Sequence, residues 1–247
     1  MLESLYAPVT GFSPWNSEHY YWLLYGVLST IAWVWWAKRS PEHRQPSIAL
    51  WMTLVGVISW AYSVLMMVIT DQAPIQSVLP FHLCYFLNLL LPFVLWKRQV
   101  KWMDWIYPIL MAGCLQALIT PDLDEPFPHY YNVRYWLVHI MLIQSMVFMV
   151  AIYGFRPTPA GIFKCIAAMN VYALVITPVN LLLDTNFLYL RRPAPGSMME
   201  FFGPWPQYIF VLELVMLIGF TIVYLPFGWA RWKQLRRLRT IESSIQE

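Results

Sequence analysis

Two side chains in this sequence are suited to covalent chemistry as a pair: the thiol of Cys84 and the imidazole of His139. Such a pair performs nucleophilic acyl transfer, in which the ring takes the thiol proton, the thiolate attacks an ester carbonyl and a thioester forms. Asn88, Gln116 and Asn180 carry amides able to steady the oxyanion of that attack. Pro80 is a good first-turn residue, so a helix is predicted to begin there. Cys84 then falls in its second turn, near the positive end of the helix dipole, which favours a thiolate. Cys84 and Asn88 are four apart and share a helix face, whereas His82, two from Cys84, is expected to point elsewhere. Pro92 cannot donate to the carbonyl of Asn88, which loosens the backbone beside that face. Thr177, Asn180 and Asp184 are expected to form one polar stripe, and Gly113, Gln116 and Thr120 another. Glu213 is a carboxylate inside an apolar run, a functional candidate by default, protonated or paired with His139 or an Arg.

Each residue also has a plainer reading. A buried Cys is usually a small hydrophobe. A His in an apolar helix is often an interhelical hydrogen-bond partner, and Asn and Gln there are commonly glue. Asp122, Asp124, Glu125 and His129 can be a divalent-cation loop or, more simply, a solvated acidic one. The three cysteines, Cys84, Cys114 and Cys165, all fall in apolar runs, which argues against a disulfide framework. No CxxC or HExxH spacing, Gly-rich phosphate loop or GxSxG occurs, so neither a metal nor a cofactor is expected.

The elements that must position these groups follow from composition. Hydrophobic residues make up 59% of the 247 and charged residues only 12%, about half the charge of an average soluble domain. Lipid is the expected solvent, and the backbone must then satisfy its own hydrogen bonds in helices or a closed barrel. Barrel strands alternate apolar and polar, whereas here the apolar runs are continuous and long enough for helices to span about 30 Å. About seven are read, at His19–Ala37, Ile48–Thr70, Pro80–Trp96, Trp102–Thr120, Arg134–Tyr153, Ile162–Leu183 and Trp205–Phe227. The predicted fold is an all-α polytopic membrane bundle, a single domain over 1–247 whose residues 228–247 form a basic tail. Met1–Glu18 lacks a basic start and a short apolar stretch with a cleavage site, so the first span is expected to stay in the mature protein.

Charge predicts the orientation. Thirteen of the sixteen Lys and Arg fall on one side: Lys38, Arg39, Arg44, Lys97, Arg98, Lys101, Arg156, Lys164, Arg231, Lys233, Arg236, Arg237 and Arg239. The other side has Arg134, Arg191 and Arg192 with Glu3, Glu18, Asp71, Asp122, Asp124, Glu125, Asp184 and Glu200. The positive-inside rule places the N-terminus outside and the C-terminus in the cytoplasm. The net charge of +3 is thus a topology signal and no argument for nucleic acid. Two long outer loops, Pro121–Val133 and Asp184–Pro204, carry Pro and Gly punctuation that includes Pro195 and Gly196. At the helical rise, Cys84 lies about 6 Å, His139 about 7–8 Å and Glu213 about 12 Å below the outer ends of their spans. Gln116, Asn180, His82 and Asn88 join that band, while Asp104, Gln144 and Asn170 are scattered through the inner half. A polar pocket facing outward or toward lipid is expected.

Leu79-Pro80-Phe81-His82-Leu83-Cys84 resembles the LPxHLC signature of the YwaF family of bacterial membrane proteins. Leu115–Leu123, Phe127-Pro128-His129 followed by His139, and Asn180–Leu190 running to Gly203-Pro204-Trp205-Pro206 are similar to it as well, in the same order. That family is similar to animal transmembrane protein 164, described as a Cys-dependent acyltransferase acting between phospholipids. The resemblance implies a bacterial inner membrane, a nucleophile at Cys84 and a partner at His139. Tyr85 departs from the acidic or polar residue that often follows this Cys.

The function expected is acyl transfer or acyl hydrolysis on a membrane phospholipid reaching Cys84 and His139 sideways from the outer leaflet. The alternative is a transporter or binding protein for a small polar or cationic solute, using the same cluster with Glu213. That function calls for polar lining through to the cytoplasmic side, where the inner half is apolar. A receptor or assembly factor is a weaker third reading, because no cytoplasmic loop is long enough to engage a large partner.

Overall fold

The structure, a computed structural model, describes all residues except 1–4, 6, 8, 71–73, 195–196 and 247, and the side chains of these except 75, 77, 239 and 242–246. Glu3, Asp71, Pro195 and Gly196, which entered the charge and loop patterns, lie outside the described residues, as does the Arg239 side chain.

Helices form where the apolar runs predict them, with ends set by local chemistry. Asn16 accepts from the His19 N–H and starts α1 (Ser17–Arg39). Pro46 in the first turn helps start α2 (Gln45–Ile69), and a four-residue turn, α3 (Ile75–Val78), follows. Then come α4 (Leu83–Trp96), α5 (Val100–Ile109), a π segment at Leu110–Cys114 and α6 (Leu115–Ile119). His129 Nδ1 accepts from the Tyr131 N–H to cap α7 (Tyr130–Ala151). Thr158 caps α8 (Pro159–Leu182) by accepting from the Gly161 N–H. α9 (Gln207–Gln246) runs on through the expected tail as one helix.

The protein is an all-α membrane helical bundle with no strand among the described residues. Among the described residues, five helical stretches are long and apolar enough to cross a bilayer: Glu42–Ile69, Val100–Ile119, Tyr130–Ala151, Pro159–Leu182 and Gln207–Leu238. Leu83–Trp96 is apolar but shorter, because α4 begins at Leu83 and not at Pro80. α1 has the length, but its Trp and Tyr residues leave it outside the most apolar set.

α7 is the axis. It is buried nearly all round, packing against α1, α2 and α4, as a helix at the centre of a bundle must. α2 approaches closely because of Gly56, where a Cβ would lie 2.5 Å from Met141 Cε and 2.6 Å from Asn88 Oδ1. α5 packs on α8 through a second close approach at Gly161. α8 and α9 turn Leu174, Leu182, Phe210 and Trp229 outward, a surface suited to lipid.

The two ends of the bundle differ. At one, the predicted long loops converge: Gly11 and Phe12 donate to Asp124 O, Asn132 Nδ2 donates to Glu18, and Asn186 N donates to Gln76. At the other, Arg98 pairs with Glu42 at 2.8 Å, and Asp104 accepts from Lys164 Nζ and from Thr158. Asp104 is thus no scattered polar residue but the clasp joining α5 to the start of α8.

Candidate active site

The site lies at the long-loop end, where α4 begins. His82 is extended (φ −67°, ψ 137°) and its carbonyl accepts from the N–H groups of Tyr85 and Phe86, each at 3.0 Å. The helix therefore starts three residues later than Pro80, and Cys84 falls in its first turn. The N–H groups of Leu83 and Cys84 precede the intrahelical ladder and make no hydrogen bond to a described residue. The late start also corrects the expectation for His82. Helical phase does not apply to an extended cap residue, and His82 lies within electrostatic range of Cys84. Its ring packs on Phe187 at 5.2 Å and on Tyr189 at 5.8 Å.

Cys84 is half-buried, with the His139 imidazole and the Cys114 thiol within interaction range of its sulfur. All three cysteines are free. The His139 ring is buried and lies tilted against the Tyr135 ring, with centroids 4.3 Å apart. Its Nδ1 lies 2.7 Å from the Tyr135 carbonyl oxygen. A carbonyl only accepts, so Nδ1 carries the proton and Nε2 keeps its lone pair for the thiol. Tyr135 is fixed in turn: its hydroxyl donates to Ala117 O at 2.8 Å and accepts from the Asp122 N–H. Cys114 reaches Cys84 from the last position of the π segment, a backbone irregularity common at functional sites.

Arg134 completes the surroundings. It is 8% exposed, with Tyr85 and Tyr131 facing its guanidinium at 5.0 and 4.8 Å. It shares electrostatic range with His82, Tyr85 and His139. Tyr85 is thus a packing partner for this cation.

The other expected residues do not join the cluster. Asn180 is fully buried but occupied: Oδ1 accepts from Thr185 Oγ1 and the Phe187 N–H, and Nδ2 donates to Phe187 O. The expected stripe with Thr177 and Asp184 breaks, because α8 ends at Leu182 and the other two are exposed. Gly113, Gln116 and Thr120 do share a face, but it is an exposed one. Glu213 accepts from Asn170 Nδ2 at 3.0 Å across α8 and α9, pairing neither with His139 nor with an Arg. Asn88 stays one turn from Cys84, yet its amide is wedged against Gly56 with neither atom hydrogen-bonded. His129 serves as a helix cap beside Tyr130 and Tyr131. Asp122 is exposed, and partial desolvation with the nearby Asp124 carboxylate pushes it above the usual carboxylate range. Among the described residues, no group of three or more His, Cys, Asp or Glu is gathered to hold a metal.

Sequence reasoning passed over Tyr135, Cys114 and Arg134. Tyr135 and His139 are four apart on one helix, a readable signal. Arg134 was visible as a cation at the start of an apolar run on the side with few basic residues. Cys114 offered none, since its approach depends on how α4 meets the π segment.

An apolar cavity of about 430 Å³ lies between α4, α5 and α8, lined by Leu83, the residue before Cys84, and by Phe86, Leu87, Trp105, Ile109 and Cys165. The model of the TMEM164 family matches residues 12–224, a stretch containing every residue of the site. No curated protein and no solved structure matches the chain.

Proposed function

The chain belongs to the TMEM164 family, and on that premise we propose that it is a membrane-embedded acyltransferase or acyl hydrolase acting on phospholipid through Cys84 and His139. The observation that carries the reading is the convergence of the Cys84 thiol and the His139 imidazole within interaction range, with the ring's tautomer set by Tyr135 O. His139 Nε2 takes the Cys84 proton as the sulfur attacks an ester carbonyl. The carbon–sulfur bond forms, the ester carbon–oxygen bond breaks, and the imidazolium returns the proton to the departing alkoxide. A second alcohol, or water, then cleaves the thioester with His139 as base. The free N–H groups of Leu83 and Cys84 are the donors for the oxyanion, in place of Gln116 and Asn180.

The setting supports a lipid substrate. The cavity beginning at Leu83 is almost wholly apolar and matches an acyl chain. The polar groups of the site gather at one end, while the interior below them is filled by Leu91, Val94, Met103 and Phe148, which favours an enzyme over a solute path. In the bacterial inner membrane that the resemblance implies, charge asymmetry favours the long-loop end facing outward, with about seven spans counting α1 and α4. In this orientation the pair meets the outer leaflet.

The test uses the purified full chain in vesicles with phospholipid carrying a labelled acyl chain. Wild-type protein should form an acyl-thioester on the Cys84 peptide and release lysophospholipid. Cys84→Ala and His139→Gln should lose turnover by roughly a thousandfold or more. Undiminished turnover in Cys84→Ala ends the proposal.

A further inference from the structure

We infer that Arg134 is the anchor for the phosphate group of the lipid substrate; this rests on the acyl-transfer reading of Cys84. Arg134 Nε and Nη1 are buried without a hydrogen-bond partner. Its guanidinium makes no ion pair or hydrogen bond to any described residue. Arginine cannot shed its charge as a buried lysine or histidine can. Among the described residues no carboxylate comes within ion-pair distance of it: Glu18 accepts from Asn132 Nδ2 and the Phe127 N–H, Asp184 is bound by Arg191, and Asp122 and Glu125 make no ion pair with it. Tyr85 and Tyr131 present only ring faces, which recover a fraction of the hydration that burial removes. A cation held this way is completed by an anion from outside the chain.

Placement identifies the anion. Tyr85 follows Cys84 directly, and its ring lies against Arg134. Arg134 is five residues nearer the loop end of α7 than His139, about 7–8 Å along the axis. An anion there stands on the headgroup side of the thiol, while the apolar cavity extends from Leu83 along α4 away from the loop end. A glycerophospholipid has the same order: phosphate, then ester, then acyl chain. The guanidinium fork suits a phosphate's oxygens.

The test separates binding from chemistry by using the full chain with Cys84→Ala, which forms no thioester, in phosphate-free maltoside micelles. Affinity is measured for a diether phospholipid, for the neutral dialkylglycerol and for inorganic phosphate. The phospholipid should bind more tightly than the dialkylglycerol. Adding Arg134→Gln should weaken the phospholipid by roughly ten- to a hundredfold and leave the dialkylglycerol unchanged, with Arg134→Lys recovering part of the loss. Because Gln removes an unpaired buried charge, the variant should melt no lower than its parent, which distinguishes lost binding from lost fold. Equal phospholipid affinity with and without Arg134 overturns the inference, and so does Arg134-dependent binding of inorganic phosphate alone. Inactivity of the wild-type enzyme in the vesicle assay would instead count against the Cys84 chemistry.

Discussion

Asn180→Ala tests whether the loop after α8 is a fixed wall of the site. Asn180 makes three bonds into that loop, to Thr185 Oγ1 at 3.0 Å, the Phe187 N–H at 2.7 Å and Phe187 O at 2.9 Å. Phe187 is itself fully buried, with its ring against His82 and Phe81. Truncation strands a buried N–H and a buried carbonyl, each costing about 1–3 kcal/mol. The substitution should thus remove roughly 3 kcal/mol and lower the melting temperature by about 6–12 °C for a chain of this size. Leu188 and Tyr189, both at positive φ (58° and 54°), lose the restraint that keeps them there. Amides over 185–190 should then exchange faster, and Cys84 should react faster with a bulky polar maleimide as the wall beside His82 loosens. Asn180→Asp keeps both acceptor bonds and should fall between the two. An unchanged melting temperature with unchanged exchange over 185–190 refutes the reasoning, because it would mean that water replaces the amide without loss.

Three further predictions concern the scaffold and its acid response. A Cβ on Gly161 would lie 2.2 Å from Asp104 O and 2.6 Å from Oδ1, so Gly161→Ala should part α8 from α5 and destabilise by several kcal/mol, about the upper range for overpacking, read as a lowered melting temperature. Asp184 is held below its usual value of 3.8 by the hydrogen bond and charge of Arg191. Its contribution is therefore present above 3.8 and lost as pH falls through the depressed value, and Asp184→Asn should flatten that part of the melting-temperature profile. Asp122 has the opposite sign, being pushed up by desolvation and Asp124. Its native form binds the proton more tightly, so stability declines as pH rises from 3.8 through the raised value, and Asp122→Asn should raise the melting temperature at neutral pH but not in acid.

The errors in reading the site share a cause. His82 was placed by helical phase, yet it lies outside the helix, because α4 begins only when its carbonyl takes the Tyr85 and Phe86 N–H groups. Gln116 keeps the expected face with Gly113 and Thr120, but that face is exposed. Asn180 and Glu213 were grouped by depth, but depth ignores direction: one turns into its own loop and the other toward Asn170. Asp184 was carried on a helix that stops two residues before it.

By itself the sequence determined the solvent, the helical class and the rough length of each apolar run, since these depend on transfer energies that add along the chain. It also singled out Cys84 and His139, as rare polar groups at matching depth in apolar runs. Only the tertiary structure decided what those groups meet. That a sulfur on α4 reaches an imidazole on α7 and a thiol at the end of a π segment depends on how helices distant in sequence pack. The lone cation of Arg134 became meaningful for the same reason: whether a charge has a partner is a property of the space around it.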